Sequence, residues 1–265
     1  MSTAGLLAAE AGLVLALVTA LWAVSVPLKD TSIVDIFWGS GFVIVAWAAY
    51  VLGDGSADRR LLLALLVTVW GLRLTAYLAR RNLGKGEDYR YAAMRRRHGE
   101  RWPLRSLVVV FWLQGALMWV VSLPVQVAMN DPTPAGLGAL DWIGTAVWVV
   151  GLAFEAVGDQ QLARFKDDPA NRGQVMDRGL WRYTRHPNYF GDFCVWWGIW
   201  LVALAAGSAW WTVVGPVAMS ILLIRVSGAA PLERSLTKRR EGYADYVART
   251  SAFFPWPPRG GRAEH

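Results

Sequence analysis

Apolar positions in this chain fall in unbroken runs rather than in the one-sided stripe of a soluble helix, and the runs are parted by short polar, basic or proline-containing links. Seven runs, 5–27, 31–53, 61–80, 104–129, 140–162, 187–206 and 209–228, are long enough to cross roughly 30 Å of hydrocarbon. Lipid offers the backbone no hydrogen-bond partner, so each run must be helical. The pattern predicts an all-α, polytopic integral membrane protein with seven transmembrane helices. It forms one domain over 1–256, and the polar tail 257–265 is expected to be disordered. The first run has no basic segment before it and is too long for a cleaved signal peptide. Thr31 and Ser32 are candidate N-caps of the second span, and Pro124 is expected to kink the fourth near its outer end.

Charge orients the bundle. The links after the first, third, fifth and seventh runs hold Lys29, the cations of 80–105, those of 164–185 and those of 234–249, whereas GDGSADRR and NDPTPAGLGALD are poor in them. Basic residues in short links stay on the cytoplasmic side. The N-terminus is therefore expected outside and the C-terminus inside, in a bacterial inner membrane. Topology and attraction to anionic lipid account for much of the net charge of +7, with no nucleic-acid partner and a monomer expected. The single cysteine, Cys194, lies within a run and excludes a disulfide framework. No HExxH spacing or cysteine cluster points to a metal.

Against this background the polar residues inside the runs stand out. Glu10 lies near the outer end of the first, where it can reach the interface. Asp35 sits a turn into the second, either as an acid favoured by a helix N-terminus or as a substrate-binding group. Arg73 and Tyr77 share a face of the third; Arg80 and Arg81 can snorkel to the cytoplasm, but Arg73 is two turns deeper and needs an internal acid or a phosphate. Lys85 lies between Gly84 and Gly86, a plain turn or a backbone approach to phosphate. His98 is expected to be an exposed bystander. Glu155 and Asp159 are like charges four apart, lining a polar cavity or joined in an interhelical ion pair, with Lys166 further along.

The stretch 178–197, RGLWRYTRHPNYFGDFCVWW, organises the rest. Pro187 fits the first turn of a helix, which puts Asn188 and Asp192 on one face below a collar of Arg178, Arg182 and Arg185. Such a collar, with Arg172 before it, suits an anionic cofactor. RHPNYFGD resembles the C-terminal signature of the steroid 5α-reductase family, membrane enzymes that use NADPH to reduce 3-oxo-Δ4-steroids such as testosterone and progesterone. The shorter RHPNYFG also resembles the isoprenylcysteine carboxyl methyltransferases and some sterol reductases.

The first resemblance implies that Asp159, Asn188 and Asp192 bind NADPH and that Lys166 replaces a family arginine, while Glu155 stands where the animal enzymes carry asparagine. Arg73 and Tyr77 match an Arg and Tyr pair near the cofactor, and Arg81 replaces an asparagine. The animal enzymes hold the 3-keto group with a glutamate after glutamine and with a tyrosine. Asp35, which follows Val34, is the best stand-in for the former, and the tyrosine position falls on or near Trp70. Trp38, Trp70 and Gln114 complete the expected substrate end. WGLRL, RNLGKGEDYRY and FFPWPP look like a bacterial branch.

Reducing a conjugated enone needs a hydride at the β carbon, a donor on the carbonyl oxygen and a proton for the α carbon. The expected donor is Asp35, helped by Tyr77 or Tyr91. Arg73, Arg81, Lys85, Lys166, Arg172 and Arg178 would face the cofactor phosphates, with Glu155, Asp159, Asn188 and Asp192 at the ribose or nicotinamide amide. The lipophilic substrate would enter from the bilayer. The alternatives are an S-adenosylmethionine-dependent carboxyl methyltransferase and a non-enzymatic lipid-binding or transport protein. S-adenosylmethionine has no phosphates to meet Arg73, and a transporter would spread its acids and bases along a pore.

The alternation of basic and basic-poor links has a direct test. Reporters fused after Arg97 or at the C-terminus should be cytoplasmic, and one inserted within 130–138 should be external. A cytoplasmic signal from the last site would overturn the seven-span orientation.

Overall fold

The computed structural model describes residues 1–226 and 242–259. Its elements are α1 (Thr3–Leu28), α2 (Ile33–Leu52), α3 (Ala57–Asn82), α4 (Tyr89–His98), α5 (Trp102–Ser106), α6 (Leu113–Val121), α7 (Leu123–Ala128), α8 (Ala139–Asp167), α9 (Pro187–Leu204), α10 (Val214–Ile221) and α11 (Tyr243–Arg249), with 3₁₀ and π segments between some of them. No strand occurs among the described residues. Six segments are long and apolar enough to cross a membrane: Thr3–Leu28, Ile33–Leu52, Ala57–Asn82, Tyr89–Val121, Ala139–Asp167 and Gly207–Arg225. The chain is thus an all-helical, multi-pass membrane protein. The expected run 187–206 forms α9 but is not among the six. Its first two turns carry Asn188 and Asp192, which dilute its apolar character.

Helix ends follow local chemistry. Pro187 opens α9 as expected. The fourth run breaks at Ser122, where α6 hands over to α7 and Pro124 takes the first turn. Ser32 occupies the N-cap of α2 but makes no capping bond. Its hydroxyl bonds Asp30 instead. The polar stretch before the fourth run, expected as a loop, is helix α4: Asp88 caps it by accepting from Arg90 N at 2.9 Å, and the alanines, methionine and arginines that follow favour a helix.

The chain divides into two compact units, 1–143 with 199–215 and 144–198 with 216–265, so α8 and α9 each contribute to both. The first is built on α2 and α3. A β-carbon on Gly39 would lie 2.3 Å from Gly71 O, so these two backbones touch directly. Ser40 and Thr75 bond across them at 2.9 Å. At the end of this unit that carries the start of α3, Arg59 and Asp141 form an ion pair with both side chains 0% exposed. Arg59 also donates to Pro134 O at 3.1 Å and Gly136 O at 3.0 Å, tying the link before α8 to α3. Asp131 in that link accepts from Thr133 and Ser208. Burial would raise its carboxyl, but these bonds hold it at about 2. Glu10, expected to reach the interface, is instead fully buried.

The second unit is built on α8 and α9, which meet along glycines seven residues apart: Gly144, Gly151 and Gly158 on one, Gly191 and Gly198 on the other. A β-carbon on Gly191 would lie 2.4 Å from Glu155 N and 2.5 Å from Gly151 O, and one on Gly198 would lie 2.7 Å from Gly144 O. No side chain fits at these crossings, and that closeness lets polar groups on the two helices meet.

Gly191→Ala should therefore lower stability by about 1–3 kcal/mol or more, since the clash is with backbone rather than with a movable side chain. Gly12→Ala in α1, where nothing lies within 4 Å of the added carbon, should be neutral or mildly stabilising. Thermal unfolding in detergent compares them, and equal midpoints for the two variants would contradict the close-contact account.

Candidate functional site

Polar side chains gather at two places, one in each unit. In the first unit Asp35 lies in the opening turn of α2 and receives two donors from α4. Tyr91 donates its hydroxyl to Asp35 Oδ1 at 2.8 Å, and Arg90 donates from Nη2 to Oδ2 at 2.8 Å. Gln114 donates in turn to the Tyr91 oxygen at 3.3 Å. Tyr91, one of the two tyrosines expected to help Asp35, is buried beside it. Tyr77 is placed elsewhere: its ring lies under the guanidinium of Arg73 at 5.4 Å and that of Arg81 at 5.8 Å.

The link that carries α4 is fastened to the start of α2. Glu87 accepts from Thr31 N at 2.8 Å and from Arg95 at 2.7 and 2.9 Å, and Trp102 donates to the Thr31 hydroxyl at 3.1 Å. Burial would raise the Glu87 carboxyl, but the bonds from Arg95 and Thr31 outweigh it and hold the group below its ordinary value. Lys85 is exposed between Gly84 and Gly86 at φ +78° and +76°, with open space around both glycines, the geometry of a plain turn. Trp70 is fully buried and meets Phe42 edge-on at 5.5 Å, with Trp38 on the other side of Phe42 at 5.3 Å. Trp70 is therefore packed in the helix core. His98 is half-buried and stacked on Trp102, not a bystander.

In the second unit Glu155 and Asp159 face α9, each 3% exposed. Asn188 donates from Nδ2 to Asp159 Oδ1 at 3.1 Å, and Asp192 follows one turn along the same helix face. One turn beyond Asp159 on α8 opens a cavity of about 210 Å³, lined by Leu162, Phe165, Lys166, Gln174, Val175, Met176, Trp181, Arg185, His186, Tyr243 and Tyr246. Trp181 is anchored by donating to Gly158 O at 3.0 Å, and Tyr246 by donating to Trp181 O. Of the expected collar, Arg185 lines the cavity, whereas Arg178, Arg182 and Arg172 are exposed. Glu233 and Arg234 lie outside the described residues, while Tyr243 is in the wall.

Sequence reasoning missed Arg90, Glu87, Arg95, Trp181 and Tyr246. Asp88 two residues before Arg90, at the head of a run of good helix formers, was the available signal for the first. Nothing local marked Tyr246, which reaches Trp181 across 65 residues.

A family model described as a protein of unknown function (DUF1295) matches residues 21–250. An uncharacterised protein of Schizosaccharomyces pombe is 27% identical over 263 residues, covering 89% of this chain and 75% of the relative. No solved structure matches.

The Glu87 tie makes a pH-dependent prediction. A carboxyl held below its ordinary value stabilises the fold above that value, and the contribution is lost as pH falls through the lowered one. Glu87→Gln should lower the unfolding midpoint at neutral pH, and its gap from the parent protein should close in acid below the ordinary glutamate range. A gap that stays constant with pH would show that the carboxylate charge contributes nothing.

Proposed function

The chain belongs to the DUF1295 family of proteins of unknown function, which includes steroid 5α-reductase-like membrane proteins, and we propose that it is an NADPH-dependent membrane reductase of conjugated enones, with 3-oxo-Δ4-steroids as its substrate class. One observation carries the reading: the Asp159–Asn188 pair lies one turn from a cavity that combines cations with aromatic walls. The cavity is smaller than the roughly 300–1,000 Å³ of a whole small-molecule site, so it suits one part of an extended ligand.

The donor set fits a phosphorylated dinucleotide. Lys166 and Arg185 are cations for a phosphate, Trp181, Tyr243 and Tyr246 are flat surfaces for a base, and Asn188 with Asp159 and Asp192 offers an amide and carboxylates to ribose hydroxyls and a carboxamide. Arg73 and Arg81, with Lys85, Arg172 and Arg178, are the further cations assigned to phosphate, and Glu155 is assigned to the cofactor with Asp159. Bound there, the cofactor would supply hydride to the β carbon of the enone. The chain's own work at the carbonyl falls to the Asp35–Tyr91 pair. Arg90 pairs with Asp35, Asp35 orients the Tyr91 hydroxyl in the free protein, and Gln114 steadies the same oxygen. When the enone binds, the Tyr91 hydroxyl turns its single proton from Asp35 to the carbonyl oxygen and donates to it as negative charge develops there. Trp38 and Gln114 are assigned to the substrate. We further assign α9 as the seventh span, an outside N-terminus, a cytoplasmic cofactor end, and the bacterial inner membrane as the site of action.

Purified protein should be thermally stabilised by NADPH more than by NADH, because the cations reward the extra phosphate, and not by S-adenosylmethionine. Asn188→Ala and Asp192→Ala should lose that stabilisation while remaining folded. Stabilisation by S-adenosylmethionine alone would replace the reductase reading with the methyltransferase one. Asp35→Asn should slow progesterone or testosterone reduction by about 10²–10³-fold with NADPH stabilisation retained. Full turnover in Asp35→Ala would reduce Asp35 to a helix-end acid.

A further inference from the structure

The segment after α11 folds back across the start of α9. Thr184 donates to Phe253 O at 2.7 Å, Arg185 N to Ser251 O at 2.9 Å, and Trp256 N to Tyr183 O at 2.9 Å. Phe253 and Phe254 pack their rings on Phe190 and Phe193 of α9, with centroids 5.7–6.3 Å apart. This fixes the segment at the level of the first two turns of α9, where an apolar helix gives way to a polar link. There Phe254 and Trp256 are 57% and 70% exposed. Large aromatic side chains left open at that level match the belt that membrane proteins place among lipid headgroups.

Beside them is a second cavity, of about 300 Å³, with Arg185, Arg249 and Arg259 in its wall. Arg185 donates to Val247 O and Thr250 O at 3.0 and 2.9 Å. Arg249 pairs with Asp177. The backbone of Arg259 is pinned by its N–H to Arg249 O at 3.0 Å, while its guanidinium makes no hydrogen bond or ion pair among the described residues. Three arginines in a wall otherwise made of apolar and hydroxyl residues, with an aromatic pair beside it, call for an anion attached to something apolar.

We propose that this cavity binds the phosphate of an anionic phospholipid, with Arg249 and Arg259 on the phosphate oxygens and Phe254 and Trp256 among the glycerol and upper acyl carbons. Arginine pairs with phosphate through two parallel N–H donors, and anionic lipid is enriched in the leaflet that basic links face. The site is separate from the aromatic cavity assigned to the cofactor, although Arg185 lines both. It does not depend on the reductase reading.

The test uses the full chain in nanodiscs of phosphatidylcholine, alone or mixed with phosphatidylglycerol, with retained lipid counted by native mass spectrometry after mild extraction. Phosphatidylglycerol should be retained in preference to phosphatidylcholine and should raise the unfolding midpoint. Arg259→Gln should cut its retention about tenfold, the effect of losing one charged hydrogen bond, whereas Arg105→Gln, an exposed cation in the first unit, should not. Trp256→Ala should weaken retention of both lipids alike. Equal retention of the two lipids by the parent protein would overturn the proposal, as would equal losses in Arg259→Gln and Arg105→Gln. If inorganic phosphate added to phosphatidylcholine discs gives the whole stabilisation, the cavity is a soluble-anion site and the lipid assignment fails.

Discussion

Everything at the α8–α9 site depends on how closely those two helices approach. Side chains on neighbouring helices ordinarily hold the axes about 8–10 Å apart, too far for an asparagine and an aspartate rooted on opposite helices to meet unless both face the seam. Here glycine occupies each crossing, at 191 against 151 and at 198 against 144, and the backbones themselves are in contact. Glu155 and Asp159 are thereby brought against Asn188 and Asp192, inside a hydrocarbon-rich structure that would otherwise reject them. The seven-residue spacing keeps this true along the seam. The polar cluster and the glycine repeat are one design, since widening the seam would strand buried carboxylates without partners.

The first unit solves the same problem differently. Gly39 and Gly71 join α2 to α3, but its polar residues are stabilised by long-range charge pairs at either end. One is Arg59 with Asp141, and the other is Asp35 with Arg90. Removing one member of a fully buried pair typically costs about 3–5 kcal/mol because the survivor is left uncompensated, which applies to Arg59 far more than to the half-exposed Arg90.

What could be read from the residues alone divides along physical lines. Six of the seven expected spans, the Pro187 helix start and the break near Pro124 are local or compositional, and each was legible. The shared face of Asn188 and Asp192 followed from helical spacing and the family signature grouped both with Asp159, but the hydrogen bond between Asn188 and Asp159 came only with the structure. Three things were not legible. α4 hid because it is polar, so hydropathy gave no sign of a helix that continues through short 3₁₀ and π turns into an apolar one. Arg59 looked like an unremarkable charge in a basic-poor link because its partner is 82 residues away. The Asp35 donor was ambiguous between Tyr77 and Tyr91, since choosing between them requires knowing which tyrosine the α4 turn aims at α2.

The proposed chemistry is tested most directly by following the hydride. Protein incubated with a 3-oxo-Δ4-steroid and NADPH carrying deuterium at the reactive nicotinamide carbon should yield a saturated ketone with one deuterium at the former β carbon and a solvent-derived hydrogen at the α carbon. A saturated product free of label, or a substrate left unsaturated while S-adenosylmethionine delivers a labelled methyl group to a lipid acid, would contradict it.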